Sequence, residues 1–462
     1  MTALSVIAWT GLDTPARAPA PRELAHPPVL RSSSTTPGTV EVTITAAVAK
    51  LELKPGVTTE VFAYNGISPG PTLELTEGDR VTIHFRNDLA EQTTVHWHGL
   101  HLPADQDGSP MNPVPAGGRR DYTFTIPKGT AGTYWYHPHL HHRTGYQIAK
   151  GLVGAIIIRA PDDPLPKIAE KVLILADQRF EPDGSIDLPE KKTDSGRVDE
   201  ENGREGNVFF VNGQIMPTIS IKPNEVQRWR IINASASRVY RLAIPKQTFM
   251  HVGNDGGLFE TPVQRDEIVV ANGERVELLV RGSAAPGSRT VLQSLPYDRY
   301  IPQTRPRDWN KPIDLAAIQV TRDKPAAAFT IPATLRHVAP LDTSRVAAHR
   351  VVTFTQGMVN MKHFDMSRID FTSKLGTTEI WKVENLVYMD HPFHMHGFRF
   401  QVIERNGKPE PFPSWKDVVN VRRQETVKLA VRFDDFPGKW MFHCHILNHE
   451  DQGMMGVLEV KP

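Results

Sequence analysis

Hydrophobic and polar residues alternate with a period of two along much of the chain, in segments rich in Val, Ile, Thr and aromatic residues. This period predicts β-strands, because successive side chains of a strand point to opposite faces of a sheet. Two short segments, residues 165–171 and 447–452, are predicted to form a turn or two of helix. The 38 prolines and 33 glycines suit many short strands joined by turns. The pattern therefore predicts antiparallel β-sandwiches.

One strand-turn-strand unit occurs three times. Residues 71–87 read PTLELTEGDRVTIHFRN, residues 217–233 read PTISIKPNEVQRWRIIN, and a weaker copy spans residues 371–385. A second repeat relates the outer units, since GTYWYHPH at 132–139 matches GKWMFHCH at 438–445. Internal repeats of this kind predict tandem copies of one structural unit.

The repeats predict an all-β chain of three tandem Greek-key β-sandwich domains. The middle domain contains no His-x-His pair. The expected divisions are a disordered leader or signal remnant at 1–38, domain 1 at 39–160, domain 2 at 161–325, a linker at 326–344 and domain 3 at 345–462.

Composition and charge exclude several classes of partner. Hydrophobic residues make up 39% of the chain and charged residues 23%, as in globular proteins. The formal net charge of +1 indicates neither a nucleic acid nor an anionic membrane as partner. The longest apolar run near a motif is far shorter than the ~18 residues of a membrane span, so none is expected. A single cysteine allows no disulfide within the chain.

Twelve potential copper ligands lie in four short motifs, and they include that cysteine. The motifs contain His96 and His98; His137 and His139; His391, His394 and His396; and His443, Cys444, His445, His449 and Met454. Ten histidines, one thiolate and one thioether are what a blue copper site plus a three-copper cluster require. Structural zinc is a poor alternative, because it usually takes four ligands that include several cysteines.

The spacing within the motifs separates two kinds of site. On a strand, residues two apart share a face, so each His-x-His pair can turn both imidazoles to one metal cluster. Cys444 then points away from its two neighbours and can share a mononuclear site with His391. His449 and Met454 follow at intervals of five residues, which allows a loop to return both to that metal. Two nitrogens, a thiolate and a weak axial sulfur form the blue-copper ligand set.

The four motifs resemble those of the multicopper oxidases, and the chain resembles a three-domain bacterial laccase over about residues 40–462. The resemblance implies cupredoxin-like domains that hold four copper ions, one of type 1, one of type 2 and two of type 3. It implies type 1 ligands His391, Cys444, His449 and axial Met454, type 2 ligands His96 and His394, and type 3 ligands His98, His137, His139, His396, His443 and His445.

The resemblance also implies the reaction. Phenols or aromatic amines would lose single electrons at type 1 copper, and the trinuclear cluster would reduce O2 to water with four electrons. Asp107 and Glu450 stand where the family keeps its proton donors, and a carboxylate near the cluster can relay protons. A monomer in the periplasm or outside the cell is expected.

Other interpretations of the reductant remain open at this point. A cuprous oxidase could use Met389 and Asp390, or the loose cluster of Met358, Met361 and Met366 with His363 and Asp365, although methionines also fill irregular gaps in cores. No methionine occurs at 295–309, where a methionine-rich insertion is expected in Cu(I) oxidases. A copper-free scaffold protein is a remote alternative, since such relatives drop ligands and this chain has all twelve.

Single residues also have competing interpretations. Met455 could replace Met454 as the axial ligand, and Asp105 could share the role of Asp107. Asp417, in the sequence Trp-Lys-Asp, could accept a hydrogen bond from a metal-bound imidazole or belong to a turn at a strand end. His141 and His142 extend the second motif but are expected not to bind metal.

Overall fold

A computed structural model of the chain describes residues 22–165, 168–188, 192–299 and 310–462. Over these residues the chain forms thirty strands, arranged in six sheets. The sheets pack in three consecutive pairs, and each pair encloses a core to which both of its sheets contribute. The predicted all-β fold of three tandem sandwiches is confirmed.

The first sandwich contains eight strands: β1 Thr39–Lys54, β2 Val57–Tyr64, β3 Leu73–Thr76, β4 Arg80–Asn87, β5 His96–His98, β6 Arg119–Thr125, β7 Gly132–His137 and β8 Gly154–Arg159. One sheet has the order β2-β1-β4-β6 and the other β3-β8-β7-β5. Strand β5 lies at an edge, so its two histidines reach the border of the sandwich.

The second sandwich contains eleven strands: β9 Ala169–Gln178, β10 Val208–Val211, β11 Thr218–Ile221, β12 Val226–Asn233, β13 Tyr240–Ala243, β14 Phe249–Asn254, β15 Gly257–Arg265, β16 Glu267–Val270, β17 Arg275–Arg281, β18 Arg289–Leu295 and β19 Ile313–Val320. Its sheets have the orders β10-β9-β12-β17-β14-β15 and β11-β19-β18-β13-β16.

The third sandwich contains eleven strands: β20 Ala348–Thr355, β21 Met358–Val359, β22 Phe371–Lys374, β23 Thr377–Asn385, β24 His391–Met395, β25 Phe400–Arg405, β26 Lys408–Pro409, β27 Val418–Val421, β28 Thr426–Phe433, β29 Gly438–Cys444 and β30 Met455–Lys461. Its sheets have the orders β21-β20-β23-β28-β25-β26 and β22-β30-β29-β24-β27.

The repeated asparagines, Asn87, Asn233 and Asn385, close the equivalent strands β4, β12 and β23. Each of these strands pairs in parallel with the first strand of its sandwich. Each asparagine is buried, and its side-chain amide donates to two or three backbone carbonyls of the following loops. The repeat therefore marks a polar lock that satisfies loop carbonyls which burial would otherwise leave unpaired.

The helices are short: α1 Thr144–Ala149, α2 Asp194–Asn202 and α3 Leu447–Asp451, with a 3₁₀ turn at Ala104–Gln106. Helix α3 confirms the helical turn predicted at 447–452. The prediction at 165–171 is wrong from residue 169 onward, because that part of the segment begins β9 and pairs with β12. Within the described residues, no helix has the length and apolar character that a membrane crossing requires.

The predicted disordered leader is partly described. Residues 22–38 lie against the first two sandwiches, where Leu24 is buried in the second core and its N–H donates to the Thr218 carbonyl at 2.8 Å. The Leu30 N–H donates likewise to the Thr72 carbonyl at 2.8 Å. The prediction of disorder is therefore wrong for residues 22–38, because strand-like pairing and one buried leucine hold them. Residues 1–21 lie outside the described residues.

Candidate metal centre

Eight of the ten motif histidines come together at the contact between the first and third sandwiches. In the first, β5 and β7 pair so that His96 lies opposite His137. In the third, β24 and β29 pair so that His394 lies opposite His443. Each sandwich therefore presents two neighbouring motifs at one border, although residues 140–390, which include the whole second sandwich, separate the two pairs of motifs in the chain.

The imidazoles of the cluster fall into three groups of three, each with ligand atoms within 4.8 Å of one another. The groups are His96, His98 and His394; His98, His137 and His445; and His139, His396 and His443. Every group combines residues of the first and third sandwiches. All of these side chains are at most 1% exposed, so the surrounding strands exclude bulk water from the cluster.

The third group has the geometry of a metal site. The Nε2 atoms of His139, His396 and His443 lie 3.1–3.2 Å apart. The Nδ1 atoms of His396 and His443 donate to Asp107 Oδ2 and to the Cys444 carbonyl, so their Nε2 atoms carry lone pairs. Lone pairs that face each other repel unless a cation lies between them. Metal–nitrogen bonds of about 2.0 Å at tetrahedral angles place the nitrogens about 3.3 Å apart, so these residues fit a metal ion.

Two aspartates orient four imidazoles across the contact between the sandwiches. Asp107, in the first sandwich, accepts from His96 Nδ1 through its carbonyl at 2.9 Å and from His396 of the third sandwich through Oδ2 at 2.7 Å. Asp417, in the third sandwich, accepts from His394 Nδ1 through its carbonyl at 2.8 Å and lies 3.1 Å from Nε2 of His98 through Oδ1. Such contacts fix which ring nitrogen is free for a metal.

The Nε2 atoms of His96 and His394 are the free nitrogens of that arrangement. Both atoms are buried and, among the described residues, neither has a hydrogen-bond partner. Burial without a partner is costly for a polar atom, and a metal ion would satisfy both nitrogens. The interpretation of Asp417 as a hydrogen-bond acceptor for an imidazole is therefore supported over that of a simple turn.

Two buried carboxyl groups flank the third group, and the pKa values of the two are shifted in opposite directions. Glu450 lies 3.4 Å from His139 Nδ1 and 3.3 Å from His443 Nδ1, and burial together with nearby Asp451 raises its pKa well above the usual range. Burial alone would also raise the pKa of Asp107, but contact with His396 and His96 holds that pKa below its usual range. Its surroundings thus favour the protonated form of Glu450, whereas the imidazoles favour the ionised form of Asp107. Asp105 is exposed on the 3₁₀ turn and does not reach the cluster.

A separate group contains His391, Cys444 and His449, whose ligand atoms also lie within 4.8 Å of one another. Cys444 Sγ is 3.9 Å from Nδ1 of His449, and the two imidazole rings stack with centroids 5.1 Å apart. Nε2 of His449 lies 3.1 Å from the carbonyl of Glu201, in α2 of the second sandwich. Burial raises the pKa of the Cys444 thiol, so a metal must displace the proton to bind sulfur.

Met454 belongs to the same buried core as Cys444, and its carbonyl accepts from the Cys444 N–H at 3.1 Å. Met455 points into a different core with Met441, on the opposite face of β30. The structure thus brings Met454, rather than Met455, beside the cysteine. Met389 is 4% exposed and packs in the core that contains Cys444, which leaves it little room as a substrate ligand.

Burial keeps the histidines neutral, which is the form that binds metal. It lowers the pKa to about 4 for His396 and His449 and to about 3 for His445. For the remaining cluster histidines whose pKa is shifted, burial and neighbouring imidazoles lower it well below the usual range: His98, His137, His139, His394 and His443. The same holds for His391, where the neighbouring imidazole is His449.

Several residues that contact the cluster have no signal in the motifs. Arg275, on β17 of the second sandwich, donates to both carboxylate oxygens of Asp417 at 2.7 and 2.6 Å. A Cβ atom at Gly273, whose φ is +84°, would lie 2.9 Å from the His445 ring. Trp135 lies beside His137, with centroids 4.2 Å apart and ring planes inclined by 31°. Strand alternation marks Arg275 and Trp135 only as parts of a sheet, and Gly273 lies in the turn before β17. The contacts of Arg275 and Gly273 with the cluster depend on packing between sandwiches.

Two methionines of the loose cluster lie on the surface, in a loop that contacts the chain next to Met454. Met361 and Met366 are 73% and 46% exposed, so they do not fill a core gap. The Phe364 N–H between them donates to the Gly453 carbonyl at 2.8 Å, next to Met454 in the chain. His141 and His142 stack on each other with centroids 3.6 Å apart and lie outside the metal-binding groups of the described residues.

Three family models, each described as a multicopper oxidase, match the chain at residues 45–163, 170–323 and 337–462. A multicopper oxidase, mco, of Staphylococcus aureus is 31% identical over 95% of this chain and 92% of its own length. The structure titled a multicopper oxidase from Campylobacter jejuni, a metallo-oxidase, has 36% identity and a TM-score of 0.88 and covers 96% of both chains. A laccase from Pediococcus acidilactici has 30% identity and a TM-score of 0.85, with 96% of this chain and 94% of the other covered.

Proposed function

Because this chain belongs to the multicopper oxidase family, we propose that it oxidises phenols or aromatic amines by single electrons and reduces O2 to water with four. The observation that carries the proposal is the meeting of ten buried imidazoles and one buried cysteine in a cluster and a separate mononuclear group. Bound copper would supply one-electron redox chemistry and the binding of O2.

We assign four copper ions to these residues. His391, Cys444 and His449 would hold type 1 copper, with Met454 as the axial ligand. His96 and His394 would hold type 2 copper. The six other imidazoles would hold the type 3 pair, divided by geometry into two sets: His98, His137 and His445, and His139, His396 and His443. Cys444 lies between two cluster histidines in the chain, so its backbone joins both sites covalently.

Asp107 and Glu450 would manage protons for the reduction of O2. Glu450 is buried beside two imidazoles of one type 3 set, and its raised pKa favours a proton there. Asp107 is ionised and accepts from an imidazole of the same set. A protonated and an ionised carboxyl on one site can act as donor and acceptor.

The proposal is tested with Cys444→Ser. We expect the wild-type protein loaded with copper to be blue and to consume O2 with a methoxyphenol, because the thiolate supplies the blue colour and the link between sites. The variant should lose both properties and keep its circular dichroism spectrum. Oxygen uptake that survives in the variant, or a wild-type protein that takes up zinc in preference to copper, would refute the proposal.

Oxidation of Cu(I) is a second candidate function, favoured by the exposed thioethers of Met361 and Met366, whose loop contacts the chain next to Met454. Thioethers are soft ligands that suit Cu(I). Asp390 is a weaker candidate ligand, because it is 1% exposed and its carboxylate already accepts from Tyr297 and Asn420.

The two reductants are separated by Met366→Leu, with Met216→Leu as the control, since Met216 is similarly exposed at 37% but belongs to the second sandwich. A fall in kcat/KM for Cu(I) alone would identify a cuprous oxidase. Unchanged kinetics of Met366→Leu with Cu(I), together with O2 uptake that is faster with the methoxyphenol than with Cu(I), would identify a laccase.

The remaining expectations belong to the same proposal. We propose that the domains divide at 39–160, 161–325 and 345–462, and that the protein acts as a monomer in the periplasm or outside the cell. Family models that match 45–163, 170–323 and 337–462 support that division.

A further inference from the structure

We infer that Arg275 of the second sandwich is a positioning residue of the copper cluster, which holds Asp417 so that this aspartate orients His98 and His394. The inference rests on the proposed function, because it concerns imidazoles that bind copper. It gives the middle domain, which has none of the twelve ligands, a direct part in building the cluster.

The contacts of Arg275 use all of its donors. Nη1 and Nη2 donate to the two carboxylate oxygens of Asp417 in a forked pair, at 2.7 and 2.6 Å. Nε donates to the Thr133 carbonyl at 3.0 Å, and the remaining two N–H groups donate to the carbonyls of Gly273 and Asp255 at 3.1 and 3.2 Å. The side chain has no exposed surface. Its position is therefore fixed by the first, second and third sandwiches together.

Asp417 transmits that position to two proposed ligands. Its Oδ1 lies 3.1 Å from Nε2 of His98, whose Nδ1 lies 3.2 Å from Nε2 of His137 within the cluster. A proton held on Nε2 by the carboxylate leaves Nδ1 of His98 as the metal-binding atom. The Asp417 carbonyl accepts from Nδ1 of His394, which leaves Nε2 of that ring for metal.

The site is built tightly around the pair. A Cβ atom at Gly99, whose φ is +86°, would lie 2.5 Å from both Arg275 Nη2 and Asp417 Oδ2. Only glycine fits there, so the chain that follows His98 passes directly over the forked pair. A lysine at position 275 would keep the charge but not the fork, because an ammonium is a point charge.

The second sandwich offers a matched control. The side chain of Arg228 is 3% exposed, and Glu277 is also buried. Nε of Arg228 donates to Oε2 of Glu277 at 2.8 Å, and Nη2 lies 2.6 Å from the same oxygen. This pair has no hydrogen bond to a cluster imidazole among the described residues. Arg228→Lys therefore changes a buried arginine–carboxylate pair of the same sandwich without removing a hydrogen bond to the aspartate or the imidazoles of the cluster.

The experiment compares full-length, copper-loaded wild-type protein with Arg275→Lys, Asp417→Asn and Arg228→Lys. Measured quantities are copper content, blue absorption, the type 2 electron paramagnetic resonance signal and the circular dichroism spectrum. We expect the first two variants to keep the blue absorption and the circular dichroism but to change the type 2 signal. Loss of an outer hydrogen-bond partner weakens metal affinity by about 10–100-fold, so type 2 copper should also be lost at lower chelator concentrations.

The control should match the wild-type protein in all four measurements. If Arg275→Lys and Asp417→Asn both have the same type 2 signal and copper content as the wild-type protein, the inference is overturned. Loss of the blue absorption and the circular dichroism in both variants would also overturn it, because Arg275 would then stabilise the fold rather than orient ligands. A wild-type protein without blue colour and oxygen uptake would instead refute the proposed function, and the inference with it.

Discussion

Acidification should destabilise the metal-free protein because its buried histidines are neutral. Burial is the main cause that lowers the pKa of His396 and His449 to about 4, and that of His445 and His251 to about 3. The same rings have a pKa of about 6.5 in an unfolded chain. Below that pH the unfolded state binds more protons than the folded state. The contribution of these neutral histidines to the unfolding free energy is therefore present above pH 6.5, and it is lost as the pH falls toward the pKa values of the folded state.

The size of the effect follows from these shifts. Between pH 7.5 and 5.5 each of the four histidines lowers the unfolding free energy by about 1.3 kcal/mol, or about 5 kcal/mol together. A protein of ordinary stability has only about 5–15 kcal/mol, so the loss is large. Unfolding at pH 5.5 should take up about 3 to 4 protons from these four rings alone, and more from the other buried imidazoles.

The assay is proton uptake in weakly buffered solution when chelator-treated protein is unfolded in urea at pH 5.5, measured with an indicator dye. His251→Gln is the control, because His251 contacts Gly253 and Asn254 rather than the cluster. It should reduce uptake by about one proton. Uptake below one proton in the wild-type protein, or equal stability at pH 7.5 and 5.5, would show that the histidines are not held neutral and would refute the reasoning.

Two substitutions test further contacts. Glu450→Gln removes the acidic group beside two imidazoles, so oxygen uptake should fall about 10²-fold with unchanged copper content and colour. Glu459→Gln, on β30, is the control. An unaffected rate of oxygen uptake in Glu450→Gln would contradict the role of Glu450. Gly273→Ala places a Cβ atom 2.9 Å from the His445 ring, so cluster copper should be lost while blue colour remains. Gly287→Ala, also at positive φ but with 3.6 Å of clearance, should keep the cluster copper; equal losses in both variants would attribute the effect to backbone strain.

Strand periodicity was sufficient to predict which way the ligands of one motif point. His443 and His445 face the cluster while Cys444 faces the mononuclear group, as residues of alternating direction must. His391 likewise joins Cys444 while His394 and His396 join the cluster. These relations depend on the backbone of a single strand, so they could be read from the sequence.

Relations between sandwiches could not be read in this way. The division of the imidazoles into three groups depends on how β5 and β7 approach β24 and β29, and no local pattern encodes that approach. The placement of residues 22–38 failed for the same reason, because a proline-rich segment resembles a disordered leader until the surface that binds it is known.

The two aspartates show why the middle sandwich matters to a site whose ligands it does not contain. Asp107 and Asp417 make equivalent pairs of contacts across the cluster, yet only Asp417 has both carboxylate oxygens engaged by an arginine. Oδ1 of Asp107 is buried without a hydrogen-bond partner among the described residues, so that carboxylate keeps one oxygen open for the proton relay that we propose for it. Asp417 is instead fixed by a guanidinium that stays charged at any working pH. A cluster built by the first and third sandwiches alone would lack this fixed side, because Arg275 belongs to the second sandwich.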